Sequence, residues 1–140
     1  DAFFVDDAIY AGLNYNGKPV TVSDFLSDEA RERVITIRAS TKEHSHADAR
    51  VGHTVANANV IQKMLPHAVY SDVHANRSAQ QEYAADMTVF RERQPEIANH
   101  YRDKVQAIQE RLKNAGLVEV GREPEGGFFI TLNLAAAKDK

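Results

Sequence analysis

The pattern of apolar and polar residues predicts short strands in the first third of the chain and long helices after them. An apolar run at residues 3–5, followed by two aspartates, predicts a strand buried on both faces that delivers acidic groups at its carboxyl end. A β-branched run at residues 34–37 predicts a second strand. Residues 50–55 suggest a third strand, and residues 56–65 a helix.

The middle of the chain predicts two consecutive helices. Residues 76–93 are polar and helix-prone, with Tyr83, Met87 and Phe90 available for one apolar stripe. Pro95 predicts the start of a second helix, because proline is favoured at the first helical position. The apolar face predicted for this second helix consists of Ile97, Tyr101, Val105, Ile108 and Leu112.

The last quarter of the chain predicts a hairpin. Gly116 stands where a glycine ends a helix. Residues 117–120 and 128–134 predict two strands joined by a turn rich in glycine and proline. This order predicts an α/β fold: the end of a mixed, mostly parallel sheet of a large domain, long connecting helices, and the start of a smaller α+β domain. The predicted boundaries are 1–70, 71–113 and 114–140.

Composition narrows the class of protein. The chain has 140 residues, 43% of them hydrophobic, and a net charge of −3, which offers no general attraction to nucleic acid or to an anionic membrane. No apolar run approaches the length of a membrane span. The absence of cysteine excludes disulfides and fits a cytoplasmic protein. Because the sequence opens inside a predicted strand, we expect it to be a segment of a larger protein.

Lys42 follows the second predicted strand, beside groups that can bind a phosphate. A lysine at such a position is more often a solvated surface charge. The alternative is an amine that forms a Schiff base with an aldehyde cofactor. The hydroxyls of Ser40 and Thr41 can donate to a phosphate, and Arg50 can bind one through its planar guanidinium.

Asp7 and Tyr10 follow the first predicted strand and suit the same chemistry. A carboxylate at the end of a buried strand can keep a pyridine nitrogen protonated, so that the ring of pyridoxal phosphate acts as an electron sink. A phenol three residues later can reach the ring hydroxyl. The alternative is that Asp6 and Asp7 belong to a turn and that Tyr10 is a packing residue.

His44 and His46 lie two residues apart just after Lys42. A metal site would need further ligands at a suitable spacing, and the sequence offers none that is obvious. We therefore predict polar loop residues and no metal.

Together these residues resemble those of the class I/II aminotransferases, which are fold type I pyridoxal-phosphate enzymes. The family's Asp-x-x-Tyr is similar to residues 7–10. Its lysine, followed after seven residues by Arg-x-Gly, is similar to residues 42–52, and its Gly-Gly-Phe-Phe to residues 126–129. The three motifs occur in the family's order and span almost the whole chain.

Two positions depart from the family pattern. The family usually has serine or threonine three residues before the lysine, where this chain has Ala39. Ser40 or Thr41 is expected to take over that phosphate contact. The family also usually has glycine two residues before the arginine, where this chain has Asp48, whose carboxylate would repel a phosphate held by Arg50 unless it points away.

The resemblance implies a role for each matched residue. Asp7 would pair with the pyridine nitrogen of pyridoxal 5'-phosphate and Tyr10 with its ring oxygen. Lys42 would carry the Schiff base and move the proton between the substrate Cα and the cofactor, and Arg50 would hold the phosphate. The reaction implied is transfer of an amino group from an amino acid to a 2-oxo acid by a homodimer.

The resemblance also implies that part of the active site comes from elsewhere. In the family, the N-terminal half supplies a phosphate-binding turn and a ring-stacking aromatic, so we expect this segment to be inactive by itself. One alternative is another reaction of the same cofactor, catalysed by a lyase, cyclase or oxidase, since fold does not fix function. Another is a non-catalytic module that serves association.

Overall fold

The computed structural model describes most of the chain, at residues 2–116, 119–120 and 122–133. Within these ranges it contains a three-stranded sheet, two long helices and a two-stranded hairpin. None of the described helices has the length and apolarity needed to cross a membrane.

The three-stranded sheet is formed by the first half of the chain. Strands β1 (Phe4–Asp7), β2 (Val34–Ala39) and β3 (Gly52–Val55) lie side by side in that order. β1 runs parallel to β2, with Asp7 opposite Ile37, and β3 runs antiparallel to β2. The predicted mixed sheet is confirmed, and β2 is its central strand.

Helices of very different length connect and follow these strands. Four short ones lie near the sheet: 3₁₀ helices at Ala11–Leu13 and Val22–Phe25, and single α-helical turns α1 (Asp28–Arg31) and α2 (Ser40–Glu43). The two long ones are α3 (Ala58–Asp72) and α4 (Arg77–Ala115). The side chains of Asn57 and Asn76 cap their first turns. Gly116 ends α4 in a left-handed conformation with φ 62°, as predicted.

Strand β1 is not buried on both faces, so that part of the prediction is wrong. The side chains of Phe3, Phe4 and Val5 remain 58%, 53% and 58% exposed. A cleft of about 760 Å³ separates this edge of the sheet from α3, with Phe3 and Ile35 on one side and Met64 on the other. Because the helix stands off from the sheet, its side chains do not cover the strand.

Helix α4 passes through Pro95 without interruption, so the prediction of a new helix at this residue is wrong. Proline removes one backbone hydrogen bond and crowds the preceding turn. Phe90, Gln94 and Ala98, on either side of Pro95, are nevertheless all buried. Burial along one continuous face holds the two halves of the helix together across the proline.

The buried face of α4 departs from the prediction at Ile108. Tyr83 and Phe90 are buried, as predicted. Further along, Val105 is buried but Ile108 is 48% exposed, whereas Gln109 is only 6% exposed. A spacing of four residues from Val105 places Gln109, and not Ile108, on the side that meets the rest of the chain.

The hairpin at the end of the chain is shorter than predicted. Strands β4 (Glu119–Val120) and β5 (Leu132–Asn133) pair antiparallel. The predicted strand at 128–134 is confirmed only at β5, because the backbone turns through a left-handed Gly127 with φ 72° and residues 128–130 leave the ladder. Some predicted strand residues lie outside the described part of the chain: Leu117, Val118 and Leu134.

Candidate functional site

Lys42 lies on the helical turn α2, which begins directly after the central strand β2. Its side chain is half-buried. The Nζ atom lies 5.9 Å from the ring centroid of Tyr10 and 5.6 Å from that of Phe128, both within the range of a cation–π contact. The structure therefore brings together one residue from each of the three predicted motifs.

Tyr10 reaches Lys42 because β1 and β2 are parallel. The carboxyl ends of parallel strands meet at the same edge of a sheet, and Tyr10 and Lys42 each follow such an end. The Tyr10 ring also packs edge-on against Phe128 and Phe129, at centroid distances of 5.4 Å and 5.7 Å. Tyr10 thus forms one cluster with Lys42 and the aromatic pair.

Phe128 is delivered by a glycine segment that docks on the loop after β1. Asn14 and Gly126 form an isolated antiparallel bridge, and the amide of Gly127 donates to the carbonyl of Leu13 at 3.0 Å. A Cβ atom on Gly126 would lie 2.9 Å from the Leu13 carbonyl oxygen. Only glycine allows this close approach, which explains the glycine pair ahead of the two phenylalanines.

The two aspartates at the end of β1 have different surroundings. The Asp6 carboxylate accepts a hydrogen bond from the amide of Val22 at 2.9 Å and so anchors the loop. Asp7 is exposed at the last position of the strand. Successive side chains of a strand point to opposite faces, so Asp7 is the carboxylate available to a ligand at this edge. Its pairing with a cofactor stays a prediction.

Ser40 and Thr41 differ in their access to a ligand. Ser40 is fully buried, and its hydroxyl donates to the carbonyl of Val51 at 3.1 Å. The backbone amide of Ser40 bonds the same carbonyl, so this serine closes the loop that follows Lys42. A hydroxyl has one proton to donate. Thr41 is half-buried and is the more accessible of the two.

Arg50 is exposed at the end of the same loop. Its backbone has φ 51°, in the left-handed region that residues with a side chain rarely adopt. One guanidinium nitrogen donates to the carbonyl of Ala47 at 3.1 Å. A guanidinium carries five N–H donors, so others remain for an anion. Asp48 is also exposed.

A partly buried ion pair between Arg38 and Glu43 lies next to Lys42 and was not predicted from the sequence. Glu43 is only 1% exposed. Its carboxylate accepts hydrogen bonds from the Gly12 amide at 2.7 Å and from Arg38 at 2.8 Å and 2.7 Å. The only signal in the sequence is an arginine within a β-branched strand and a glutamate beside the lysine, and such charges are mostly solvated.

Gln94 on α4 holds the other side of the Gly12 loop. It is 4% exposed, and its amide nitrogen donates to the Gly12 carbonyl at 2.9 Å. A Cβ atom on Gly12 would lie 2.6 Å from the Phe90 ring and 3.0 Å from the Glu43 carboxylate carbon. Both backbone polar groups of Gly12 are therefore bonded, by side chains from two different elements.

A pocket of about 620 Å³ opens beside the ion pair. Its lining includes His44, His53, Tyr83 and Phe90. His53 Nδ1 and the Tyr83 hydroxyl lie 2.9 Å apart. Burial lowers the pKa of both histidines and raises the pKa of Tyr83. Burial therefore favours the uncharged form of each of these groups.

His44 and His46 both face one carboxylate of α4. His46 Nδ1 lies 3.1 Å from Asp86 Oδ2, and His44 Nδ1 lies 4.0 Å from the same atom. The His44 ring also stacks on Phe90 at a centroid distance of 4.5 Å. Among the residues that the structure describes, no group of three potential ligand side chains surrounds a common point for a metal.

No family profile matches the chain, but one curated relative does. The chain is 26% identical over 133 residues to a protein of Thermotoga maritima named aspartate aminotransferase. The match covers 91% of this chain and 32% of that protein. The chain thus spans about a third of the length of the curated relative that it matches.

Several solved structures share the fold. A Thermus thermophilus aspartate aminotransferase with maleate superimposes with a TM-score of 0.77 at 21% identity, covering 94% of this chain and 34% of that chain. An Escherichia coli protein with a methionine aminotransferase function gives 0.82 at 22% identity, covering 99% and 35%. An aromatic aminotransferase from Pyrococcus horikoshii gives 0.79 at 20% identity, covering 93% and 34%. These likenesses confirm the predicted α/β fold and the resemblance to aminotransferases.

Proposed function

We propose that this chain is the lysine-bearing part of a pyridoxal-phosphate-dependent aminotransferase that moves an amino group from an amino acid to a 2-oxo acid. The convergence of Tyr10, Lys42 and Phe128 carries the proposal. These residues come from three separate motifs of the resemblance, and chance matches of short motifs have no reason to meet at one amine. The names of the relatives point to the same chemistry.

The residues at this edge of the sheet fit pyridoxal phosphate. When bound, the cofactor supplies a ring that withdraws electrons from the substrate Cα. The amine of Lys42 would bond the cofactor and move a proton at Cα. Asp7 would hold a proton on the pyridine nitrogen, and Tyr10 would donate a hydrogen bond to the ring oxygen.

The phosphate contact falls to exposed groups of the same loop. Arg50 retains guanidinium donors suited to a phosphate, and the half-buried Thr41 has a hydroxyl close to Lys42 in sequence. The hydroxyl of Ser40 already donates to the carbonyl of Val51, so we assign the phosphate to Arg50 and Thr41.

The wider organisation follows from the same proposal. Residues 1–70 would belong to the large cofactor-binding domain, 71–113 to a connecting segment and 114–140 to the start of the small domain. The active protein would be a cytoplasmic homodimer. Because the chain spans about a third of its relative's length, we propose that transamination needs the remaining two thirds as well.

Absorption spectra recorded with added pyridoxal phosphate test cofactor binding. We expect the wild-type chain to develop the visible band of a lysine-bound cofactor and Lys42→Ala to lack it. Lys63→Ala is the matched control, because Lys63 is an exposed lysine on α3, and it should behave like the wild type. An equal band in all three proteins would refute a specific role for Lys42.

The reaction type is tested by adding an amino acid to the chain supplied with the rest of its protein. Transamination converts the cofactor to pyridoxamine phosphate, which chromatography detects. Loss of a substituent from the amino-acid side chain together with release of an oxo acid and ammonia, with the cofactor unchanged and no oxygen consumed, would instead identify a lyase.

A further inference from the structure

We propose that Glu43 is a positioning residue, which sets Lys42 relative to Tyr10 by binding the backbone of Gly12. The inference rests on the proposed function, because the relative placement of these two side chains matters for holding the cofactor. Glu43 directly follows Lys42, and Gly12 follows Tyr10 by two residues. The 2.7 Å bond from the Gly12 amide to Glu43 Oε1 therefore joins the two segments that carry the site.

The Glu43 carboxylate that binds Gly12 is also held by Arg38. Arg38 donates to both of its oxygens, at 2.8 Å and 2.7 Å, and the glutamate is 1% exposed. The Nε atom of Arg38 is buried without a hydrogen-bond partner. The hydrogen bonds to Glu43 therefore orient the Arg38 guanidinium, even though its Nε is left without a partner. The same bonds fix the position of the Glu43 carboxylate.

Gly12 has no room to move away from Glu43. Gln94 bonds the Gly12 carbonyl from the opposite side at 2.9 Å. The space where a Cβ would stand is closed by Phe90, 2.6 Å from that position. The loop is clamped from two sides, so Tyr10, two residues earlier, takes its position from this clamp.

The turn that carries Lys42 requires such an external contact. Helix α2 has only four residues, and a single helical turn is not stable on its own. Fixing Glu43 at its last position therefore fixes the turn as a whole. The same bond that anchors the lysine turn anchors the tyrosine loop, which makes Glu43 a positioning residue and not a cofactor ligand.

Two matched double variants separate positioning from simple loss of the ion pair. Arg38→Met with Glu43→Gln removes both charges but keeps a side-chain oxygen for the Gly12 amide. Arg38→Met with Glu43→Leu removes both charges and that oxygen. Replacing a buried ion pair by uncharged side chains of similar size often preserves folding, which circular dichroism checks for each variant.

The first readout is the rate of the Lys42 adduct with pyridoxal phosphate, trapped by borohydride and mapped by peptide mass spectrometry across pH 6 to 9. The glutamine variant should stay close to wild type, and the leucine variant should react about tenfold more slowly. Equal rates and equal pH profiles in the two folded variants would overturn the proposal. The second readout is hydrogen exchange at the Gly12 amide, which should be fast only in the leucine variant.

Failure of the proposed function is distinguishable from failure of this inference. If the wild-type chain forms no selective Lys42 adduct, the cofactor assignment fails, and labelling of Lys42 by trinitrobenzenesulfonate replaces the first readout. If the leucine variant does not fold, hydrogen exchange at the Gly12 amide of the wild-type chain tests whether that amide is bonded to Glu43. Protection of about a hundredfold or more supports the bond, and exchange at the rate of an unstructured amide contradicts it.

Discussion

The amine of Lys42 lies 5.9 Å and 5.6 Å from the ring centroids of Tyr10 and Phe128, which also pack against each other. Tyr10 and Lys42 were predicted as site residues from motif spacing, and Phe128 stands in a third matched motif without having been assigned to the site. The sequence did not predict the bond between Gly12 and Glu43, whose partners are 31 residues apart. Such a pair depends on how two loops meet, and neither residue has a pattern around it.

Gln94 should be essential to the stability of the Gly12 loop. Gln94→Leu keeps the side-chain volume but leaves the buried Gly12 carbonyl without its donor. We expect a loss of about 1–3 kcal/mol in the free energy of unfolding, measured with urea. Gln106→Leu, on an exposed position of the same helix, is the control and should change stability by less than about 0.5 kcal/mol. Equal effects of the two substitutions would argue against the bond.

Half-buried His44 and His53 should make stability depend on pH. Burial lowers the pKa of both in the folded chain, so the unfolded chain binds more protons as the pH falls. The free energy of unfolding should be at its full value above about pH 6.5, the ordinary pKa of a histidine in the unfolded chain. It should fall as the pH drops from there towards the lower pKa values that the two histidines have in the folded chain.

Urea unfolding at pH 7.5 and pH 5.5 measures this effect, and His53→Asn should show a smaller drop between the two. A stability that rises on acidification through this range would contradict the burial of the two histidines.

For the helices and strands, the sequence predicted which elements form better than it predicted where they end and which face they bury. The β-branched run of β2 and the capping glycine at Gly116 are local signals, and both predictions are confirmed. The break at Pro95 and the buried face at Ile108 were predicted wrongly. Whether a helix continues through a proline, and which face it buries, depends on the segments packed against it. Those contacts, such as Gln94 with the Gly12 loop, are not encoded near the proline.

The continuity of α4 leads to a prediction for Pro95→Ala. Inside a helix, alanine restores a backbone hydrogen bond and relieves crowding of the preceding turn. We expect the free energy of unfolding to rise by about 1–3 kcal/mol, measured with urea. If a new helix began at Pro95, proline would be favoured there. An unchanged or lower stability would therefore contradict the single helix.

At the scale of the whole molecule, the chain has the fold of about a third of an aminotransferase. Phe3, Phe4 and Val5 are all more than half exposed, and Phe3 lines an open cleft beside α3. Composition and strand pattern predicted the fold class, because an α/β order of elements constrains the layers that can form. They could not predict that β1 stays exposed, because burial of a strand depends on how closely the distant helix α3 packs against the sheet.

Identification of the lysine that pyridoxal phosphate modifies decides whether Lys42 is the cofactor lysine. The chain is incubated with the cofactor, reduced with borohydride, digested and mapped by mass spectrometry, with Asp7→Asn and Arg50→Ala measured in parallel. We expect one dominant adduct on Lys42, weakened in both variants because the ring nitrogen or the phosphate loses its partner. Adducts spread over the exposed lysines, with Lys42 no more modified than Lys63, would contradict this expectation.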